Sequence, residues 1–531
     1  MATTWRVGVD IGGTFTDIVL LGSDGTVHTR KISSSVDDYA RAIVEGLAAL
    51  FAETGIAGSA IEEIRHGTTV ASNAILEHKG ARTGLITTKG FRDVLEIRTL
   101  RMPRLYDIAW EKPPPLGERR LLRVVDERID ARGRIERPLD PKEAEAVVRD
   151  LLAEGVEAVA ICFLHAWRDP THEQAARDIV ARILPDAYIS LSSDISPEFR
   201  EFDRFSTTVL NTYVGPRVST YLQRLLDRVA GVGVPVAPYT IHSNGGLMSV
   251  ETARVAPVRT CLSGPAAGVK GSAVIGEETG FRDLVTFDVG GTSTDVSVVV
   301  DGATVATGAR QVAGHPVRVP SIDIHVIGAG GGSVAWIDEG GALKVGPHSV
   351  GADPGPAAYG RGGTEPTLTD ANIVLGRLDP VALLRGRMTV DAAAARAVIE
   401  ERVARPLDLP LEEAALGIIR VAVANMGRAI RTVTTERGFA PERFALFAYG
   451  GAGPLHAADV AAEGGIPALV VPREPGTLCA RGILLADVSL DFVRSRIRLL
   501  DPDGWQEAGA VFASMRADAE AWLEGERIPP A

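Results

Sequence analysis

The sequence predicts an α/β protein of mixed sheets covered by helices, and three observations predict it. Short apolar runs bounded by Gly and Asp alternate with longer stretches of helical periodicity along most of the chain. The pattern Asp-x-Gly-Gly-Thr-x-Thr-Asp occurs twice, from Asp10 to Asp17 and from Asp288 to Asp295. Each copy sits between two apolar runs and leads on to an Asp-Gly turn, Asp24-Gly25 and Asp301-Gly302. A glycine pair is thereby placed in a hairpin between two strands, twice over.

After the first hairpin, Val36 to Thr54 has helical spacing, and Ile64 to Leu76 reads as a Gly-Thr turn opening a helix. Ala81 to Thr87 is a strand, Pro113 to Pro115 marks a rigid polar excursion, and Arg119 to Arg137 reads as a β-ribbon. A helix over Ala144 to Leu152 and a buried strand over Ala158 to Phe163 follow. Pro197 to Leu226 is helical with a break at Gly215-Pro216, and carries Arg200 and Glu201 in an exposed run suited to a salt bridge. Pro235 to His242 is a strand, and Ser263 to Gly268 turns into a helix. Beyond the second hairpin, Ile322 to Ser333 is a strand ending in glycines, and Ala414 to Arg437 is a strongly periodic helix. Phe444 to Tyr449 is an apolar strand running through Gly450 and Gly451 into an alanine-rich helix, and Val488 onward reads as helical. A lobe boundary is expected near 185–200, giving blocks 1–190, 191–495 and a C-terminal segment 496–531.

With 531 residues, 45% hydrophobic and 23% charged, the composition is that of a soluble globular protein of two or three domains. A net charge of −12 leaves no electrostatic footprint for nucleic acid or an anionic membrane. No apolar stretch is long enough to span a bilayer, and the chain enters its first strand without a signal peptide. The three cysteines, Cys162, Cys261 and Cys479, have no metal-type spacing and suit buried thiols in a reducing cytoplasm.

The duplicated pattern carries the chemistry. Paired glycines, Gly12-Gly13 and Gly290-Gly291, let the backbone approach an anion and turn N–H groups toward it. Hydroxyls of Thr14, Thr16 and Thr292 donate to phosphate oxygens without adding charge. Asp10 and Asp288 repel bare phosphate, and make sense with Mg²⁺ between them and a polyphosphate. Neither copy contains Gly-Lys-Ser/Thr or Gly-x-Gly-x-x-Gly, which excludes the Walker and dinucleotide-binding loops. Asp323 and His325 alternate with apolar neighbours and share one strand face, suiting a cleft lining, a metal site or a structural hydrogen-bonded pair. His66 opens a helix and suits either a ligand contact or packing.

The two loops resemble the phosphate-1 and phosphate-2 loops of the actin, Hsp70 and sugar-kinase superfamily, and Phe444 to His456 resembles its adenosine loop. That likeness implies two ribonuclease-H-like lobes with a nucleotide cleft between them. Within the superfamily, the ordered set Gly8–Asp17, His66–Asn73, Ser243–Met248, Ser263–Gly268, Ile322–His325 and Thr369–Asn372 resembles the A subunit of the hydantoinase/oxoprolinase family. The resemblance implies ATP-dependent activation of a carbonyl compound, commonly a cyclic amide, with Mg²⁺ as cofactor and a B-type subunit as partner. It also implies that Gly330 and Gly331 offer backbone donors to phosphate, and that Gly450 and Gly451 lie at the adenosine. A ketone-activating carboxylase subunit and a chaperone-like or reactivating ATPase are the alternatives. Asp17 and Asp295 are equally suited to bracing their hairpins. Family A subunits usually continue into a further β-rich domain, which this sequence is expected to lack.

Overall fold

A computed structural model describes residues 3–12, 15–35, 38–101, 106–381, 390–526 and 528. The chain divides into two compact units, each assembled from separated stretches: unit 1 holds residues 1–67, 264–306 and 322–486, and unit 2 holds 68–263, 307–321 and 487–531. The sequence break near 185–200 falls inside unit 2.

Unit 1 contains the same strand arrangement twice. In the first, β1 (Trp5–Ile11) pairs antiparallel with β2 (Phe15–Gly22), β2 pairs antiparallel with β3 (Val27–Ser33), and β4 (Ile61–Gly67) lies parallel to β1. In the second, β5 (Leu284–Val289) and β6 (Thr294–Val300) form the hairpin, β7 (His325–Ile327) pairs with β6, and β8 (Ala445–Tyr449) lies parallel to β5, followed by β9 (Ala468–Val470). Parallel neighbours need a crossover. Helix α1 (Tyr39–Thr54) supplies it between β3 and β4, and the helix Leu411–Val433 stands between β7 and β8. The latter buries Ala414, Ile418, Ala422, Met426 and Ile430, a stripe at four-residue spacing, in one core with Val285 and Phe287 of β5 and Leu446 of β8. The periodic helix is therefore present over nearly the expected range. The helix expected from Val36 begins at Tyr39, and residues 36 and 37 lie outside those described.

Unit 2 is built on a four-stranded parallel sheet in the order Leu122–Val125, Thr83–Thr88, Ala158–Cys162, Tyr188–Leu191. Every residue of the two central strands is buried, as parallel sheets covered on both faces require. Helices Pro141–Ala153 and Thr171–Ile183 cover one face through Val148, Leu151, Ile179 and Val180. Phe205 and Val209 of the long helix Glu201–Gly231 cover the other.

Three sequence expectations are corrected. The expected ribbon over 119–137 is divided: Leu122–Val125 joins the parallel sheet, and only Arg128–Ile129 and Ile135–Arg137 form a hairpin. The helix Glu201–Gly231 runs through Pro216 without a break. Val214 and Val218 on either side of the proline are buried, and Gly215 fits against the Tyr188 ring, where an added Cβ would lie 2.3 Å from Cε1. Packing on both sides of the proline outweighs the one backbone hydrogen bond it removes. Residues after Val488 form no helix until Pro502–Gly525. The stretch is held in place instead by hydrogen bonds such as Ser489 N to Leu247 O and His242 Nε2 to Ser489 O. No helix among the described residues is long and apolar enough to cross a membrane.

Candidate functional site

The described residues of the two copies take matching strand registers within unit 1. Asp10 faces Asp17 and Ile11 faces Thr16 across β1–β2; Asp288 faces Asp295 and Val289 faces Thr294 across β5–β6. The turn closes in the same way each time, Gly12 N donating to Phe15 O at 2.9 Å and Gly290 N to Ser293 O at 3.1 Å. Gly291 and Thr292 are exposed at the rim of the second turn. Gly13 and Thr14, the corresponding tip of the first, lie outside the described residues.

The two leading aspartates share one electrostatic environment. Burial raises Asp10 to about 7, with Asp17 adding repulsion and Lys31 opposing it. Burial raises Asp288 to about 8, with repulsion from Asp295 and from Asp10 itself, partly offset by Cys479 and Lys31. Carboxylates held this far from their ordinary range lack the positive charge that would stabilise them ionised. Among the described residues no group of three or more His, Cys, Asp and Glu is placed to hold a metal. Two converging carboxylates nevertheless fit Mg²⁺, a hard cation usually bound by one or two carboxylates together with substrate phosphates and water.

Four supports position this pair. Gly450, at φ +82°, packs against Asp288 so closely that an added Cβ would lie 2.2 Å from Oδ1. Gly264, in the first turn of α2 (Ser263–Thr279), stands beside Asp10, where a Cβ would lie 2.8 Å from Oδ1. Helix α2 thus directs its N-terminal, partially positive end toward that carboxylate. Gly450 and Gly451 turn the chain from β8 into α3 (Gly453–Gly464), which has no side-chain cap. Helix α4 (Leu478–Leu484) reaches both hairpins. Gly8 of β1 abuts Ala480 O, where a Cβ would lie 2.2 Å away, and Cys479 Sγ donates to Asp288 Oδ2 at 3.5 Å. Arg65 on β4 closes the far end of α4, its Nη1 donating to the carbonyls of Leu484 and Ala486 at 2.9 and 2.7 Å.

The remaining predicted residues divide. Thr16 is buried, its hydroxyl 3.0 Å from that of Ser34, which donates to Gly12 O at 2.8 Å; it braces the turn from behind. Gly330 and Gly331 do not present free donors: Gly330 N donates to Ser333 Oγ at 2.9 Å and Gly331 N to Gly290 O at 3.0 Å. Their N–H groups are consumed in fastening the glycine run onto the second turn, and Thr369 secures Gly331 O from the other side. His66 is fully buried on β4, in register with Val9 of β1. Asp323 forms an ion pair with Arg437, and His325 pairs with Val296 on β7, partly exposed. Arg200 and Glu201 make no ion pair with each other among the described residues; the Arg200 guanidinium lies over the Phe199 ring.

Sequence reasoning missed three residues. Lys31 Nζ bonds both oxygens of Asp17 at 2.8 and 2.7 Å, reaches Gly476 O at 3.3 Å and sits over the Phe15 ring. Its signal was present, since the hairpin through Asp24-Gly25 sets Lys31 opposite Asp17. Gly264 and Cys479 had no local signal, because each meets an aspartate about two hundred residues or more away in the chain. Cys162 and Cys261 are buried as expected, whereas Cys479 is partly exposed; all three are free.

Two family profiles and several known proteins match this chain. The profile of the Hydantoinase/oxoprolinase family matches residues 204–492, and that of the Hydantoinase/oxoprolinase N-terminal region matches 6–184. Caprolactamase subunit alpha of Pseudomonas jessenii is 36% identical, over 94% of this chain and 73% of that protein. The acetophenone carboxylase gamma subunit of Aromatoleum aromaticum is also 36% identical, over 98% of this chain and 73% of its own. 5-Oxoprolinase 1 of Arabidopsis thaliana is 34% identical over 94% of this chain, which spans 43% of that protein. The crystal structure of the ATP-dependent caprolactamase from Pseudomonas jessenii superposes with a TM-score of 0.88 at 35% identity, covering 98% of this chain and 76% of that one.

Proposed function

The chain belongs to the hydantoinase/oxoprolinase family, and from that premise we propose that it is the nucleotide-using subunit of an ATP-dependent amidohydrolase acting on cyclic amides. The observation that carries the reading is the pair of hairpins of matching register in which Asp10 and Asp288 feel each other's charge. Mg²⁺ bound by these carboxylates, directly or through water, would neutralise phosphate charge. Asp10 and Asp288 are the residues that would hold the cation, and its charge would offset their mutual repulsion. Gly291 and Thr292, exposed in the second turn, take the phosphates; Gly12 and Gly290, whose N–H groups close their own turns, shape the backbone beside them, and the repeated pattern gives Gly13 and Thr14 the phosphate role of Gly291 and Thr292. Gly450, Gly451 and the uncapped start of α3 take the adenosine side. Burial raises the Asp17 carboxyl and Lys31, bonded to both its oxygens, opposes that rise, so the pair braces the first hairpin.

An amide carbonyl resists water because nitrogen donates into it. Transfer of the γ-phosphoryl group to the carbonyl oxygen gives an imidate-like phosphate, which water opens. The protein's share of phosphoryl transfer is placement and charge neutralisation. The likeness to a carboxylase subunit supports a second reading, in which the phosphorylated carbonyl is a ketone enolate met by a carbon electrophile. A B-type subunit would complete the assembly, consistent with relatives that are themselves named as subunits.

The test is titration calorimetry with ATP in the presence and absence of Mg²⁺, followed by ATP turnover with ε-caprolactam, hydantoin or 5-oxoproline and an added B-type subunit. Metal-dependent binding, and turnover raised jointly by partner and lactam, are the expected results. Failure to bind nucleotide with Mg²⁺ present would sink the reading. Turnover raised by a ketone with bicarbonate, and not by a lactam, would move it to the carboxylase branch.

A further inference from the structure

Unit 2 carries a broad groove of 1530 Å³, walled by the loop Gly90–Val94, the residues around Arg98 and Trp110, the start of the helix Glu201–Gly231 and the hairpin segment 309–318. That is larger than the ~300–1,000 Å³ of ordinary small-molecule pockets. Its position in the fold is a recognised one for binding. The strand Thr83–Thr88 has its successor in the sheet, Leu122–Val125, on one side and the next, Ala158–Cys162, on the other. Strand order reverses there, and the loop leaving the carboxyl end of Thr83–Thr88 forms the groove wall, where open parallel sheets take their ligands.

The groove has the wrong charge for its chain. Seven Lys and Arg line it against three Asp and Glu, an excess of four positive charges (seven minus three), in a protein of net charge −12. Asp93 is occupied by Arg119 at 2.9 Å. Among the described residues, no carboxylate lies within ion-pair reach of Arg92, Arg98, Arg101 or Arg200. Arg98 donates through Nη2 to Gly314 O at 2.6 Å, while its Nη1 is buried without a partner. Beside these cations stand large apolar side chains in water: Ile97 is 55% exposed and Leu100 84%, with Phe91 and Trp110 also in the lining. Arginine, aromatic and aliphatic groups at one patch are the composition of a protein interface core.

The surface is also preformed. Arg98, Leu100 and Arg200 hold φ values of +60°, +56° and +77°, in the left-handed region that costs a non-glycine residue free energy. The Arg98–Gly314 bond and Pro113 packed against Gly314 tie the Arg98 side of the groove to the hairpin segment 309–318, and Lys112 donating to Glu96 O joins the two ends of that side.

We propose that this groove docks a segment of a partner polypeptide that carries carboxylates among apolar side chains, and that the partner is the B-type subunit. The proposal rests on the hetero-oligomeric reading above. A small organic acid would answer the arginines but leave Leu100 and Ile97 in water.

The experiment titrates a purified B-type subunit from the same genome against the full chain and against Leu100→Asp, Arg101→Glu and Arg200→Glu. Circular dichroism and Mg·ATP titration on each variant establish that it is folded. We expect each variant to weaken association at least tenfold with Mg·ATP affinity unchanged, and the wild-type affinity to fall with salt. Folded variants that bind the subunit like wild type would overturn the site while leaving the partner reading intact. A B-type subunit that does not bind the wild-type chain would overturn both. Saturable binding of hexanoate, abolished by Arg101→Glu and indifferent to the subunit, would overturn it in favour of a small-acid site.

Discussion

Asp288 takes in the second hairpin the register position that Asp10 takes in the first: each faces another aspartate, Asp295 and Asp17, across its strand pair. Both strands are otherwise buried around these residues, so each carboxylate is the polar end of an apolar strand. The arrangement leaves excess negative charge in the free protein and a place for a cation in the loaded one.

The first prediction follows from that excess. Asp10 sits at about 7 and Asp288 at about 8 in the folded chain, against an ordinary carboxylate value of 3.8. The folded state therefore binds more protons than the unfolded state between about pH 4 and pH 8, and stability from these groups declines as pH rises through that window. Asp10→Asn and Asp288→Asn remove the penalty. In metal-free buffer each should melt above wild type at pH 8.5 and close to it at pH 5, by differential scanning calorimetry. Each should also lose about 10²- to 10³-fold in ATP turnover, the usual effect of removing one preorganised charge. Variants that melt below wild type at pH 8.5 would show that the carboxylates are satisfied in the free protein.

Lys31 and Asp17 should behave as a unit. Removing the lysine alone, as Lys31→Met, strands a carboxylate that is only 13% exposed, at a cost of about 1–3 kcal/mol. The double variant Lys31→Met/Asp17→Asn should recover most of it. Urea unfolding of the four proteins gives the coupling directly. Additive losses would mean that the pair is a surface contact.

Gly450→Ala tests the approach of the third loop to the second hairpin. The new Cβ would lie 2.2 Å from Asp288 Oδ1, at a φ of +82° that alanine adopts only with strain of about 1–2 kcal/mol. Nucleotide affinity measured by calorimetry should fall at least tenfold. Gly451→Ala, with open space where its Cβ would lie, should leave the fold unchanged.

In unit 2, Glu173 is fully buried and accepts from Phe163 N at 2.8 Å, Ser192 Oγ at 2.6 Å and Ser193 N at 2.9 Å. The buried guanidinium of Arg204 donates to Phe163 O at 2.8 Å and opposes the rise that burial imposes on the Glu173 carboxyl. Glu173→Ala should destabilise the chain by about 1–3 kcal/mol, because it leaves the buried donors Phe163 N and Ser192 Oγ without their acceptor. Denaturant midpoints decide this, and an unchanged midpoint would refute the role of these hydrogen bonds.

The division between what was legible and what was not follows from the range of the forces involved. The sequence by itself determined the two hairpins, their aspartate–glycine–threonine tips, the strand–glycine–helix element ending at Gly450–Gly451 and the long helix over Leu411–Val433. All of these rest on periodicity and turn chemistry within a dozen or so neighbouring residues. The tertiary structure decided which groups at those tips remain free. Gly331 N is consumed by Gly290 O, Thr16 by Ser34, and Asp323 by Arg437. It likewise carried the helix through Pro216, divided the 119–137 ribbon, and brought Gly264 to Asp10 and Cys479 to Asp288. Those outcomes depend on close packing and on hydrogen bonds between residues up to hundreds of positions apart. A local pattern specifies that a donor or an apolar face exists; only the assembled core specifies what it meets.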